Sequence, residues 1–227
     1  MIRLTDVSKY YRSNQNVTLG LHKINLEFHP GEFAVITGES GSGKSTLLNV
    51  ISGSDSYDEG EMYIEGQETS CYDKADWEQY RREKISFIYQ NYNLIDSFTV
   101  LQNVKSALLI RIPQMDEKEA DRKALEYIRK VGLEKQAKKK ASHLSSGQKQ
   151  RLSIARALAK ETEIIVADEP TGNLDAQNSK EVVQLLSELS KDRLVIMVTH
   201  NYDEVGQFAT RKIRMYDGEV AEDIRLR

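Results

Sequence analysis

The segment Gly38-Glu39-Ser40-Gly41-Ser42-Gly43-Lys44-Ser45-Thr46 sets glycines, one lysine and two closing hydroxyls at the spacing G-x-x-x-x-G-K-[ST]. Glycines there let backbone N–H groups turn inward around phosphate oxygens. A helix that starts at the same point adds partial positive charge. Lys44 is expected to reach the β- and γ-phosphates of a nucleotide, and the Ser45 hydroxyl to bind Mg²⁺. All nine residues from Gly38 to Thr46 are therefore candidate nucleotide contacts.

Four further groups could share that chemistry. Asp168 and Glu169 follow the apolar run Ile164-Ile165-Val166-Ala167. Asp168 suits a Mg²⁺ partner beside Ser45, and Glu169 suits a general base that polarises the attacking water. In Leu144-Ser145-Ser146-Gly147-Gln148, Ser145 and Gln148 make a capping box, so a helix N-terminus there offers a second anion site. Gln90 can join a Mg²⁺ or water shell without adding charge. His200 can donate a hydrogen bond to a γ-phosphate oxygen.

The surrounding pattern says how these residues are held. Phe33 to Thr37, Ile164 to Ala167 and Leu194 to Val198 read as buried strands and Ile85 to Gln90 as a further strand, each delivering one of the chemical groups at its carboxyl end. Leu47, Leu48, Val50 and Ile51 read as the buried side of a helix after the phosphate loop. Asp116 with Glu119 reads as a capping box, and Ala120, Ala124, Tyr127, Ile128 and Val131 as one helical face ended by Gly132. Asp175 caps a helix whose buried side is Val182, Leu185, Leu186 and Leu189. Asp217-Gly218 between Arg214-Met215-Tyr216 and Val220 is a hairpin signal. Strands alternating with helices predict an α/β fold, a P-loop NTPase core with a mostly parallel sheet whose ligand lies at the strands' carboxyl ends. The alternating Ile2 to Val7 and Ile24 to Phe28 predict an antiparallel β subdomain at the N-terminus. The expected organisation is one domain over residues 1–227. Its core and β subdomain take 1–90 and 161–227, and a helical subdomain is inserted at 91–160.

Composition narrows the function classes. With 32 Lys+Arg against 35 Asp+Glu, the net charge of −3 lacks the basic footprint of a nucleic-acid binder. A single cysteine, Cys71, rules out an internal disulfide and a cysteine-only metal site. No apolar stretch approaches the ~18–20 residues that span a bilayer, so the chain is expected to be soluble by itself.

Together these residues make the chain resemble the nucleotide-binding domain of ATP-binding cassette (ABC) proteins. Gly38 to Thr46 resembles Walker A, Gln90 the Q-loop, Leu144 to Gln148 the signature motif, Ile164 to Glu169 Walker B, Asn173-Leu174-Asp175 the D-loop and His200 the switch histidine. Tyr11 resembles the aromatic that stacks on adenine, with Tyr10 as the alternative. The signature has Ser146 where the family pattern usually has glycine. Gly147, expected to demand the closer backbone approach, is kept. Reduced or unchanged ATPase activity is expected from that departure, not its loss. The resemblance implies Mg²⁺-dependent ATP hydrolysis by two cassettes paired head to tail, each ATP held by Walker A of one and by Ser145, Gly147 and Gln148 of the other. A homodimer is the simplest such pair. It also implies a separate integral-membrane permease and a place on the cytoplasmic face of the membrane. Asp168 to Asp175 resembles the bacterial lipoprotein-release, macrolide-export and peptide-antibiotic-resistance group, which implies export or release of a peptide, lipid-linked or drug-like substrate. The competing readings are a soluble ABC-type ATPase acting on nucleic acid or ribosomes, and a nucleotide-binding module that scarcely hydrolyses. The first is disfavoured by the acidic balance and the lack of a heptad run or second phosphate loop.

Overall fold

A computed structural model describes residues 1–13 and 16–226. Two sheets organise the chain. The smaller is four-stranded and antiparallel, in the order β2-β1-β4-β5, from β1 (Ile2–Arg12), β2 (Val17–Phe28), β4 (Glu59–Ile64) and β5 (Gln67–Glu68). The larger has six strands in the order β10-β9-β3-β8-β7-β6. Its strands are β3 (Phe33–Thr37), β6 (Ile85–Tyr89), β7 (Ile164–Asp168), β8 (Leu194–Val198), β9 (Arg211–Tyr216) and β10 (Glu219–Arg225). Five of the six run parallel, and β10 closes the edge as a hairpin with β9. Asp217 and Gly218, both at positive φ, make that turn. The expected α/β architecture with a mostly parallel sheet and an antiparallel β region is the one observed.

Burial explains the strand sequences. β3 and β8 are buried along their whole length and β7 up to Asp168, because helices cover both faces of the sheet. One apolar cluster joins one sheet face to helices α3 (Val100–Arg111), α4 (Glu117–Lys130), α5 (Ser146–Ala159) and α6 (Ala176–Leu189). A second joins the other face to α1 (Lys44–Ile51), α2 (Lys74–Glu83) and the small sheet. The phosphate-loop strand β3 thus sits between two cores and is held from both sides.

The local expectations fare unequally. Ser145 and Gln148 form the expected capping box at α5, and Asp175 caps α6 by accepting from the Asn178 N–H. Asp116 caps α4 through the N–H groups of Lys118 and Glu119, but the reciprocal bond from Glu119 is absent, so the box is half made. Val182 and Leu186 are fully buried on α6, whereas Leu185 and Leu189 are partly covered. β1 runs on past Val7 to Arg12, because a bulge at Asp6 (φ +50°) shifts the inward-facing register and the alternation resumes out of phase. Helix α2 has no counterpart in the expectations. It is rich in charge and buries only Tyr80, with Trp77 packed partly beneath it.

Candidate nucleotide site

The phosphate loop leaves β3 at Thr37 and enters α1 at Lys44. Three glycines carry it through positive φ: Gly38 at +151°, Gly41 at +81° and Gly43 at +95°. Gly38 and Gly43 also have no room for a side chain. A Cβ on Gly38 would lie 2.4 Å from the Met215 carbonyl oxygen, and one on Gly43 2.6 Å from that of Gly20. Gly43 is the N-cap of α1 and offers no side-chain acceptor. The first N–H groups of that helix are therefore free to receive an anion.

Lys44 is 5% exposed, and its Nζ donates to the Gly38 and Glu39 carbonyl oxygens at 2.9 and 2.6 Å. Burial lowers its pKa, and the Glu169 and Asp168 carboxylates pull it back up. The ammonium is thus held over the concave side of the loop, where phosphate oxygens could replace the carbonyls. Ser45 Oγ donates to Asp168 Oδ1 at 3.3 Å, joining the start of α1 to the end of β7. Burial raises the Asp168 pKa, opposed by the Ser45 hydroxyl, Lys44 and His200. Beyond it, Glu169 has φ +46°, an uncommon conformation for a non-glycine residue. Its N–H donates to the Val198 carbonyl oxygen at 3.0 Å. The turn aims the carboxylate at His200, whose Nε2 touches Glu169 Oε1.

These groups share one cleft of about 300 Å³, lined by Tyr11, Gly20, Gly41, Lys44, Glu169 and His200 among others. Tyr11 is 41% exposed at the cleft mouth, and its hydroxyl donates to Asp55 Oδ2 at 3.1 Å and to Thr46 Oγ1 at 3.4 Å. Asp55 is in turn ion-paired with Lys9 at 2.9 Å. Asp55, Lys9 and Gly20 are contributors beyond the sequence reading, as are Thr18 and Leu19 of the cleft lining. A Cβ on Gly20 would lie 2.8 Å from Cε2 and 3.2 Å from Cδ2 of Tyr11, so the ring packs against bare backbone. The lone glycine inside strand β2 was the available signal.

Two expected groups stand apart. Gln90 directly follows β6, whose last residue Tyr89 pairs with Asp168 of β7, but its side-chain amide rests on Gly172, where a Cβ would lie 2.6 Å from Nε2, and its backbone carbonyl accepts from Asn173 Nδ2 at 3.1 Å. Ser145, Gly147 and Gln148, at the start of α5, are not among the residues lining the cleft. Ser146 is exposed and is the first residue of α5, in ordinary helical conformation, so a serine fits there without backbone strain.

The donor set suits a small hard cation. Ser45 and Asp168 present oxygen only, and among the described residues no cluster of three or more His, Cys, Asp or Glu could hold a metal alone. That matches Mg²⁺, which takes few protein oxygens and completes its shell with water and phosphate.

A glycine-rich turn between a parallel strand and a helix, faced by the carboxylates at the end of β7 two strands along the sheet, defines a P-loop NTPase fold. Residues 21–172 match the family described as ABC transporter. The chain is 41% identical over 231 residues to the uncharacterized ABC transporter ATP-binding protein MJ0796 of Methanocaldococcus jannaschii, covering 100% of this chain and 98% of that protein. It is 38% identical to the macrolide export ATP-binding/permease protein MacB of Mannheimia succiniciproducens, covering 98% of this chain but 34% of MacB. Among solved structures, the dimeric post-hydrolysis state of the MJ0796 cassette bound to ADP and Pi matches with a TM-score of 0.91 at 39% identity, covering 100% of this chain and 99% of that one. The chain belongs to the ABC transporter family, as one of its nucleotide-binding ATP-binding proteins. Among the described residues no helix is long and apolar enough to cross a membrane.

Proposed function

We propose that this chain is a Mg²⁺-dependent ATPase that works as a head-to-tail pair and powers a separate membrane permease. The observation that carries the reading is the division of the site. Lys44, Ser45, Glu169 and His200 line one cleft, with Asp168 bonded to Ser45 behind it, while the signature turn at Ser145 is not among its lining residues. A second copy would bring its own signature turn to the open side of this cleft, and the solved MJ0796 cassette is itself dimeric.

In this reading the loop N–H groups and Lys44 bind the β- and γ-phosphates, and Tyr11 receives the adenine. Ser45 and Asp168 would hold Mg²⁺, which when bound screens the phosphate charge. Glu169 orients and deprotonates the attacking water. His200 holds the Glu169 carboxylate in place and donates to the γ-phosphate oxygen. Gln90 would add to the water or metal shell once it leaves Gly172.

The permease is supported by a groove of about 370 Å³ between the sheet and the helices, lined by Phe87, Tyr89, Ile95 and Ile110 with Arg156 and Lys160 at its floor. Ile110 is 63% exposed, and every acceptor of Arg156 and Lys160 is a backbone carbonyl. Such a surface fits an apolar segment from a membrane subunit at the inner face of the membrane. MacB unites an ATP-binding part and a permease by name, and its macrolide export favours export or release of a peptide, lipid-linked or drug-like substrate here.

The test is phosphate release from ATP and Mg²⁺ by the purified chain and by Glu169→Gln. The variant is expected to lose about 10²–10⁴-fold in turnover, the range for removing a general base. Equal release by both removes Glu169 from catalysis.

A further inference from the structure

Asn178 joins two helix starts that the paired reading brings into one neighbouring site. On α6 its backbone N–H donates to Asp175 Oδ1 at 2.9 Å and its Nδ2 to Asp175 Oδ2 at 2.7 Å. Across the helix pair its Oδ1 accepts from Arg151 Nη1 of α5 at 3.4 Å, and the same guanidinium nitrogen is ion-paired with Glu181 at 2.8 Å. Gly147, the second residue of α5, is buried directly beneath this amide. A Cβ at position 147 would lie 2.1 Å from Asn178 Oδ1, 2.5 Å from its Cγ and 3.2 Å from its Cβ.

Gly147 is absent from the positive-φ glycines, so its backbone does not need glycine's freedom. What excludes a side chain there is the neighbour. The Asn178 amide could turn aside only by giving up Asp175 and Arg151, and its Cβ, fixed to the backbone, would still press on the new methyl. We propose that Asn178 is a positioning residue that locks the signature turn, Ser145 to Gln148, to the D-loop helix begun by Asp175, and that residue 147 is glycine to make room for it.

The inference rests on the paired-cassette reading. Locked in this way, Ser145 and Asp175 enter the partner's site as one body. Without the Asn178 amide the turn at Ser145 keeps its own capping box but loses its side support. The Arg151–Glu181 pair remains, yet it is exposed and holds the far side of the turn only loosely.

The experiment uses the full chain in a Glu169→Gln parent, which keeps bound ATP intact, with ATP-dependent pairing read by sedimentation equilibrium. Nucleotide affinity of the unpaired chain and the melting temperature are measured alongside. Asn178→Ala is expected to pair about tenfold more weakly than the parent, with both other readouts unmoved. Gly147→Ala is expected to pair more weakly still, and the double variant Gly147→Ala/Asn178→Ala to recover to the level of Asn178→Ala. A double variant no better than Gly147→Ala overturns the proposal, because the glycine would then serve the partner's nucleotide. If Gly147→Ala fails to fold, Asn178→Ala decides alone, and pairing equal to the parent overturns the proposal. A parent that stays unpaired with ATP overturns the paired-cassette reading itself, and this inference falls with it.

Discussion

His200 Nε2 meets Glu169 Oε1 directly, so the two residues expected to act at the γ-phosphate already touch each other across the ends of β7 and β8. The contact depends on backbone. Glu169 turns through φ +46°, and its N–H is anchored on Val198 of the neighbouring strand. The carboxylate is therefore aimed by the sheet, and the imidazole keeps it there. Replacing His200 by alanine leaves Glu169 present but free to rotate. Turnover is expected to fall about 10²-fold or more while KM for ATP changes little, since the phosphate loop is untouched. Steady-state kinetics check this. A change confined to KM would move His200 from the chemical step to binding.

Tyr11 is held at its tip by Thr46 and Asp55 and along its ring by Gly20. Lys9 Nζ lies over one face of the ring, 5.5 Å from its centroid. If the other face receives adenine, Tyr11→Ala should weaken ATP binding roughly 10- to 100-fold, the size of one lost base–aromatic stack. Tyr11→Phe keeps the ring and should stay within about threefold. Titration with a fluorescent ATP analogue measures both. Equal losses in the two variants would assign the effect to the hydroxyl bonds instead.

Much of this site could be read from the residues alone because its chemistry is local. The phosphate loop, the apolar run into Asp168-Glu169, the Ser145–Gln148 box and the Asp217-Gly218 turn each lie within about ten residues of chain. What the sequence hid is long-range or lacks an apolar face. Asp55 reaches Tyr11 and Lys9 over more than forty positions. Asn178 is an ordinary third residue of a helix until α5 is laid against it. Helix α2 offers no apolar stripe, and its capping box pairs Asp73 with Asp76, one methylene short of the usual Glu partner.

Helix α2 is pinned instead by an unusual contact. Gly53, at φ +67°, lies so close to Trp77 that a Cβ there would be 2.2 Å from the indole Cε3. Arg81 of the same helix donates to the Gly53 carbonyl. Gly53→Ala combines a left-handed backbone with overpacking, and should destabilise the protein by about 2–4 kcal/mol. Urea denaturation is the measurement, with the midpoint moving and the slope unchanged. A shift under about 0.5 kcal/mol would mean that α2 is free to move away.

Lys160 gives a pH signature for the groove floor. Burial, with Arg111 and Arg156 nearby, lowers its pKa to about 8 from 10.5, although its Nζ donates to the Arg81 and Ile85 carbonyl oxygens. A lysine whose pKa is lower in the folded state binds fewer protons there than in the unfolded chain between about pH 8 and 10.5. Its charge therefore costs stability in full below about pH 8, and the cost fades as pH rises through that window. Lys160→Met has no such dependence. The melting-temperature difference between Lys160→Met and the parent should favour the variant most below pH 8, and should shift towards the parent by pH 10. A carboxylate from a docked partner would hold the ammonium charged and push the midpoint up. An NMR titration of the Lys160 ε-carbon reads the group directly, and a midpoint above 10 in the isolated chain would show that the two carbonyls outweigh burial.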